Sequence, residues 1–298
     1  MVDLNKNNLC EKIKQVSQYA EMTGVQLSAK GKEEILWQNS LPFILRLSDY
    51  SEAKQQLLSA RKRTERSLGR PINPFLPFDE RTYVDDLSST HVCLINKFNA
   101  TANHVMVVRK EYEPQMTVLN REDFYGAWVT AQATNGLCYY NAGPDAGASV
   151  DHKHLHVIPK EEITIAGKLP VEYSMPSAEA GDFFKLPHWD FKHLAVRLDC
   201  EPGEGVNKTI DYVYSQYIEL MGHLELLDFG NETGIKGAYN LLLTPDWLLI
   251  VPRSRARSGS IALNSLAFAG AMLVENEVQQ LVVRHKGMLN MLKSVAYL

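Results

Sequence analysis

Three histidines at alternating positions are the clearest candidates for chemistry in this sequence. The run "GASVDHKHLHVIP" holds His152, His154 and His156, in a chain with nine histidines in all. Successive side chains of a strand point to opposite faces, so this spacing predicts that the three imidazoles share one face. Such a row is interpreted as a metal site, a catalytic site or an accidental cluster.

Two kinds of chemistry are open to the row. Histidines at i and i+2 on a strand can ligate one zinc ion, and three such ligands plus water make a catalytic zinc site. Alternatively, the middle residue, His154, is a nucleophile, because a neutral imidazole with an ordinary pKa of about 6.5 carries a lone pair at neutral pH. It would attack phosphorus to form a phosphoramidate, while His152 and His156 hydrogen-bond the phosphoryl and leaving-group oxygens.

The loop before the row favours phosphate chemistry. In "NAGPDAGAS", Gly143 and Gly147 allow the backbone to approach a ligand closely, and successive N–H groups form an anion-binding nest. Ser149 adds a hydroxyl. An ordinary tight turn is the alternative for the loop taken alone.

The surrounding elements are those that must position these groups. "HVCLINKF", "NHVMVVRK", "LCYYNAG" and "VDHKHLHVIP" read as strands, and a helix between the second and third is expected to start at the cap Asn120 and stop at Gly136. The first sixty residues are expected to be helical, followed by a proline-rich connector. The C-terminal part is expected to hold a helix, two strands and a last helix from about Glu275. This order favours an α+β fold with a largely antiparallel sheet. A soft boundary is expected near residue 175.

Composition excludes several function classes. The net charge of -4 gives no long-range attraction to nucleic acid or to a membrane surface. Four scattered cysteines without a CxxC pair argue against a zinc ribbon or a disulfide framework. The sequence starts without the apolar segment of a signal peptide and has no apolar run of membrane-spanning length. A cytoplasmic protein is expected.

The residues resemble a known family. "HKHLHVI" resembles the histidine-triad pattern, and "YYNAGPDAGASVDHKHLHVIP" is similar to the site of ATP adenylyltransferases, also called diadenosine tetraphosphate (Ap4A) phosphorylases. Lys153 is expected in that branch. The segments "INPFLPF", "LINKFNATANHVMVVRKEYEPQ", "YNLLLTPDWLLIVPRS" and "LNSLAFAGAML" are similar to further family segments in the same order. The resemblance runs from about Lys62 to Leu273.

The resemblance implies a histidine-triad-like fold with a mainly antiparallel sheet flanked by helices. Residues 1–175 would carry the nucleophile, and residues 176–298 would complete the same fold. It implies a two-step reaction: His154 attacks the α-phosphorus of Ap4A, expels ATP and holds AMP, and phosphate then takes the AMP to give ADP, reversibly. The partners are these small molecules. Mg²⁺ is expected to accompany the polyphosphate, without an organic cofactor.

The resemblance also implies a set of substrate-binding residues. Carried over position by position, they are Lys62, Asn96, Lys97, Asn141, Gly147, Ala148, Ser149, Val150, His156, Asn240, Thr244 and Arg253. Lys62 would contact the polyphosphate, with a solvated helix face as the alternative. Asn240, Thr244 and Arg253 would contact the second nucleotide half of the substrate. Trp247 would stack on adenine or belong to the core.

One position departs from the family pattern. His156 stands where this branch usually has glutamine, and histidine is usual in the hydrolase branch of the superfamily. Both side chains hydrogen-bond a phosphoryl oxygen, but only histidine changes charge near neutral pH. Because the flanking sequence follows the phosphorylase pattern throughout, phosphorolysis is the leading hypothesis, and a dinucleoside polyphosphate hydrolase or a non-catalytic nucleotide sensor are the alternatives.

Overall fold

A computed structural model describes residues 6–27, 31–47, 51–99, 101–200 and 205–298. Its helices are α1 (Lys6–Met22), α2 (Ser51–Leu68), α3 (Arg121–Thr134), α4 (Val206–His223), α5 (Ser265–Phe268), α6 (Glu277–Lys286) and α7 (Met288–Lys293). None of the helices within these ranges has the length and apolar content that a membrane crossing requires. Short 3-10 turns cover Glu80–Thr82, Pro144–Ala146, Lys160–Ile163 and Pro170–Ser174.

The strands fall into one large sheet and two small ones. They are β1 (Glu33–Gln38), β2 (Leu41–Leu47), β3 (Tyr83–Asp86), β4 (His91–Ile95), β5 (Val105–Arg109), β6 (Gly136–Ala142), β7 (His154–Pro159), β8 (Phe183–Phe184), β9 (Leu194–Arg197), β10 (Tyr239–Leu243), β11 (Trp247–Pro252), β12 (Arg257–Ser258), β13 (Ile261–Ala262) and β14 (Ala271–Val274). The large sheet has nine strands in the order β3-β4-β5-β7-β6-β10-β11-β9-β8. All of its neighbouring pairs are antiparallel. The predicted α+β class with a mainly antiparallel sheet is confirmed.

Two hydrophobic cores cover the two faces of the large sheet. They determine which face each side chain of β7 occupies. Leu155 and Val157 pack with apolar side chains of α1, α3 and α4 on one face. Leu242 and Leu249 pack with β2, α5 and α7 on the other. Burying a side chain of this size contributes about 1.5–3 kcal/mol, so rotating β7 by one residue is costly. His154 and His156 are therefore held on the face opposite Leu155.

The expectation of a helical N-terminal region is wrong between α1 and α2. There the chain forms the antiparallel hairpin β1–β2, in which Ile35 faces Ile44. Asn39 and Ser40 make the two-residue turn, both with positive φ (52° and 62°), which suits a hairpin connection. β2 also pairs in parallel with β14, so it lies between two strands with five buried residues in succession. The secondary structure of this segment is determined by strand pairing within the fold, which the local sequence pattern does not show.

The helix before β6 starts as predicted and ends one residue earlier. Asn120 is the N-cap of α3: its side chain accepts from the Asp123 N–H, and the Asp123 carboxylate accepts from the Asn120 N–H. Asn135, in the left-handed conformation, is the C-cap, and Gly136 already belongs to β6. The predicted last helix is divided into α6 and α7 at Gly287, whose φ is +80°.

Candidate active site

The histidine row lies where β5, β6 and β7 meet. His154 and His156 belong to β7 and share one face, as the alternation predicts, with ring centroids 5.0 Å apart. His152 precedes the strand, which begins four residues later than the sequence suggested. The Phe75 ring nevertheless contacts both His152 (5.5 Å between centroids) and His154 (5.2 Å), so the first two imidazoles remain close together.

His154 has the geometry of a nucleophile. Its Nδ1 lies 2.7 Å from the carbonyl oxygen of His152, and since a carbonyl can only accept, Nδ1 carries the proton. The lone pair therefore resides on Nε2. Burial lowers the pKa of His154 to about 4, and the hydrogen bond to His152 offsets only part of that shift. At neutral pH the imidazole is uncharged and able to attack.

On the side of β6, the backbone N–H and carbonyl of His154 are held by a side chain, while on the other side His154 pairs with Val108 of β5. Gln115 Oε1 accepts from the His154 N–H (2.9 Å), and Gln115 Nε2 donates to the His154 carbonyl (3.0 Å). This insertion separates β7 from β6 beyond the pair of Tyr139 and His156. Sequence reasoning missed Gln115, whose only signal is its place in a segment that resembles the family.

His152 serves the site through its backbone and its packing. Its Nδ1 accepts from Asn73 Nδ2 (2.8 Å), and its Nε2 donates to the Arg109 carbonyl (2.7 Å). Both ring nitrogens are thus bound inside the protein, and the imidazole is completely buried. This arrangement differs from the predicted contact with a phosphoryl oxygen, because no ring nitrogen of His152 is left to make it. Asn73, a second residue that sequence reasoning missed, lies in "INPFLPF".

His156 is part of a neutral pair with His104. Its Nδ1 is 3.0 Å from His104 Nε2, and its ring stacks on Tyr139 at 4.7 Å between centroids. Burial, together with His154 and His104, lowers the pKa of His156 well below its ordinary value. Burial also lowers the pKa of His104 to about 3. His156 is therefore uncharged near neutral pH.

Asn96 and Lys97 lie just beyond β4, and the two differ in their contacts. Asn96 Nδ2 is 3.3 Å from the His104 ring, which brings Asn96 next to the site. Lys97 Nζ is 2.8 Å from Asp79 Oδ2, and Arg81 and Lys97 hold the pKa of Asp79 well below its usual range. Lys62 is exposed on α2, and none of its described contacts joins it to the histidines.

The loop from Gly143 to Val150 has the form of an anion-binding turn. Gly143 and Gly147 have φ of +86° and +93°, and a Cβ on Gly147 would lie 2.8 Å from the Leu263 carbonyl. The N–H groups of Gly147 and Ala148 are used within the turn. Those of Ser149 and Val150 have no acceptor among the described residues, and Ser149 is exposed. These two amides are available to a phosphate.

The loop from Gly143 to Val150 is supported by a network of three buried side chains, Asn141, Asn240 and Arg253. Asn240 Nδ2 donates to Asn141 Oδ1 and to the Ala146 carbonyl, both at 2.9 Å. The Arg253 guanidinium donates to Asn240 and to four carbonyl oxygens, including those of Ala146 and Leu263 (3.0 Å). All three side chains are buried. The resemblance implied that all three contact substrate, whereas here the polar groups of Asn240 and Arg253 support the loop, and Asn141 Oδ1 accepts from Asn240 and Ser265.

Thr244 and Trp247 lie away from the histidines. Thr244 is in the turn between β10 and β11, where its hydroxyl accepts from the N–H groups of Asp246 and Trp247. Asn240 is level with Asn141, and Thr244 lies four residues after Asn240, just past the end of β10, about 13 Å away at strand spacing. Trp247 is buried and donates to Glu172 (2.9 Å), so the core alternative for this residue is correct. The expectation for Thr244 is replaced by a turn-capping role.

Lys153 anchors the other side of β7 in a buried charge cluster. Its Nζ lies 2.7 Å from Glu113 Oε1 and 2.8 Å from Asp123 Oδ2. Asp123 also pairs with His91 Nε2 at 2.9 Å. Burial would raise the pKa of Asp123, but the His91 hydrogen bond and the Lys153 charge outweigh burial and lower it. These ion pairs tie the Lys153 side chain to α3 through Asp123.

The structure offers no converging ligand set for the zinc interpretation. In the described ranges, no group of three or more histidine, cysteine, aspartate or glutamate side chains is arranged to hold a metal ion. The groups that remain available are the Nε2 lone pair of His154 and the backbone N–H groups of Ser149 and Val150. This combination fits the transfer of a phosphorus-centred group.

The two domains of the chain define its class, a nucleotidyltransferase of the ATP adenylyltransferase type. The model of the Ap4A phosphorylase N-terminal domain matches residues 1–177, and that of the ATP adenylyltransferase C-terminal domain matches residues 187–298. The chain belongs to the Ap4A phosphorylase family, and the resemblance drawn from its motifs is confirmed.

Curated relatives and solved structures agree with this assignment. Diadenosine 5',5'''-P1,P4-tetraphosphate phosphorylase 2 of Saccharomyces cerevisiae is 29% identical over 231 residues, covering 68% of this chain and 69% of that protein. Protein APA1 of the same yeast is 29% identical over 233 residues, covering 72% and 70%. The crystal structure of yeast Ap4A phosphorylase Apa2 has the same fold, with a TM-score of 0.78, 22% identity and coverage of 100% and 99%.

Proposed function

We propose that this enzyme carries out Ap4A phosphorolysis through AMP bound covalently to His154. Ap4A phosphorolysis is the activity of its family. The observation that supports the histidine intermediate is the anchored tautomer of His154, whose Nδ1 proton is fixed on the His152 carbonyl and whose Nε2 lone pair is free to react.

The reaction proceeds in two displacements. The Nε2 lone pair attacks the α-phosphorus, a P–N bond forms, the P–O bond to the leaving group breaks, and ATP departs. The adenylylated ring is cationic, and the His152 carbonyl stabilises it through the Nδ1–H bond. An oxygen of inorganic phosphate then attacks the same phosphorus, the P–N bond breaks, and ADP leaves. The Ser149 and Val150 amides stabilise the phosphoryl oxygens in both steps.

The state of His156 is compatible with phosphate as the acceptor. Its pKa is lowered far enough that the ring is uncharged at neutral pH, with burial as the main cause. An uncharged histidine offers a neutral hydrogen-bonding group, as the glutamine usual in this family does. The substitution therefore changes the shape of the group without adding the charge change that distinguishes histidine from glutamine.

We extend the proposal to the metal and the location. Mg²⁺ enters with the polyphosphate, whose oxygens supply its ligands, because the described residues contain no acidic or histidine cluster suited to bind it. All four cysteines are free thiols, which suits the cytoplasm.

The test is to incubate the protein with Ap4A, with and without inorganic phosphate, and to separate the nucleotides. ADP and ATP that appear only with phosphate support the proposal. AMP and ATP at a rate independent of phosphate indicate the hydrolase. Nucleotide binding without turnover indicates the sensor. His188→Ala, at an exposed histidine outside the site, is the matched control for His154→Ala.

A further inference from the structure

Gln115 occupies the gap between β6 and β7 beside the nucleophile. The β6–β7 ladder ends where Tyr139 faces His156, and two residues further on Asn141 would face His154. The Gln115 side chain stands there instead. Its Nε2 donates to the Asn141 carbonyl (2.9 Å) and the His154 carbonyl (3.0 Å), and its Oε1 accepts from the His154 N–H (2.9 Å). The carboxamide thus takes the place of the β6 backbone as the hydrogen-bond partner of His154 on this side of β7.

This position requires an amide side chain. The gap presents two carbonyl oxygens and one N–H group, so the inserted group must both donate and accept, as a peptide does. Gln115 is itself fixed, since its N–H donates to Asp151 Oδ1 (2.9 Å) and its carbonyl accepts from the Tyr140 hydroxyl. It is almost fully buried (1% exposed), so water does not compete for these bonds.

We propose that Gln115 is a positioning residue that directs the His154 nucleophile. This inference rests on the proposed function of His154. Gln115 holds both backbone polar groups of His154, and that peptide determines whether Nδ1 reaches the His152 carbonyl at 2.7 Å. Without the carboxamide, the peptide shifts, the Nδ1 bond lengthens, and the Nε2 lone pair is no longer aimed at one point. Gln115 acts through His154 and does not contact the reacting atoms.

Two substitutions remove different parts of this contact. Gln115→Met keeps the length of the side chain and removes all three hydrogen bonds. Gln115→Glu keeps an acceptor for the His154 N–H but places a carboxylate against two carbonyl oxygens. The matched control is Gln216→Met on α4, which alters another buried glutamine; its Oε1 has no hydrogen-bond partner among the described residues.

The first readout separates binding from chemistry. We expect Gln115→Met and Gln115→Glu to lower kcat for Ap4A phosphorolysis by roughly tenfold to a hundredfold, because a small misplacement of a reacting group has effects of that size. KM for Ap4A stays within about threefold, as expected for a change that acts on the transition state. Gln216→Met leaves kcat unchanged. Wild-type kcat in both Gln115 variants would contradict the proposal.

The second readout does not depend on turnover. In protein labelled with ¹⁵N-histidine, the His154 ring nitrogens report the tautomer, with the signal assigned by its loss in His154→Ala. The wild type should show a protonated Nδ1 and an unprotonated Nε2, and the Gln115 variants a mixture of tautomers. A lower kcat with an unchanged tautomer would reduce Gln115 to a structural role. A wild type without turnover would refute the proposed function, but the tautomer of His154 could still be measured. If Gln115→Met fails to fold, the measurements on Gln115→Glu test the proposal.

Discussion

A buried, uncharged imidazole is the residue on which the account depends. His154 is 4% exposed, and its neutral form follows from that burial rather than from a partner charge. His154→Ala should lower phosphorolysis by roughly a thousandfold or more, since the covalent route is lost. His188→Ala should leave the rate unchanged. Measurement of ADP and ATP release under saturating phosphate checks both, and retention of a tenth of the activity in His154→Ala would contradict the assignment.

The lowered pKa of His154 also predicts how adenylylation depends on pH. With a pKa of about 4, the ring stays neutral well below pH 6.5, so the rate should hold to about pH 5 and fall only below that. Single-turnover release of ATP without added phosphate isolates this step from the titration of the acceptor. An acid limb centred near pH 6.5 would show an imidazole with an ordinary pKa and would contradict the burial argument.

Residue types and spacing predicted the row, but not what holds it. The alternation of His154 and His156 with apolar residues is a local signal, and so is the glycine loop beside them. Asn73 and Gln115 reach the row from 79 and 39 positions away in sequence, and no local pattern reports such contacts. The same reason explains the buried Arg253, which the resemblance assigned to substrate. Its five donors are used on partners that only the folded chain brings together.

At the scale of elements, the phosphate loop depends on the backbone at Gly147. An alanine there adds the strain of a positive φ, about 1–2 kcal/mol, and places Cβ 2.8 Å from a backbone oxygen. Gly181 has a similar φ (+85°) and open space around it, so Gly181→Ala incurs only the first cost. Gly147→Ala should therefore unfold at lower urea concentration than Gly181→Ala and lose roughly tenfold or more in kcat/KM. Equal urea midpoints and unchanged kinetics in both variants would show that the loop is not held as described.

The strands and helices with strong local patterns were predictable, and the N-terminal hairpin was not. The capping box at Asn120 predicts the start of α3, and β-branched runs predict β4 and β5. β1 and β2 lie between two helices, and their stability comes from pairing with β14, more than 220 residues later in the chain. A local sequence pattern does not indicate pairing with so distant a strand.

At the scale of the whole molecule, one sheet joins the two halves of the chain. β6 from the first half pairs with β10 from the second, and Asn141 faces Asn240 across that pair. The boundary expected near residue 175 therefore divides the sequence but does not divide the sheet. The nucleophile and two of the residues that support the loop, Asn240 and Arg253, come from opposite sides of that boundary.

The buried histidines predict a loss of stability in mild acid. Burial lowers the pKa of His104 to about 3 and of His154 to about 4, and the unfolded chain titrates near 6.5. Below pH 6.5 the unfolded chain binds more protons, so the free energy of unfolding falls as pH falls. Each such histidine contributes roughly 2 kcal/mol of loss between pH 6.5 and pH 5. Urea unfolding at pH 7 and pH 5 measures this change, and equal stability at both values would refute it.

The most direct test of the central claim is to trap the covalent intermediate. Protein mixed with adenosine-labelled Ap4A in the absence of phosphate, and quenched in alkali to protect a P–N bond, should carry one adenylyl group. Peptide mapping should place that group on His154, and phosphate added before the quench should remove it as labelled ADP. A label on another residue, ATP release without any label, or discharge of the label as AMP in the absence of phosphate would contradict the account.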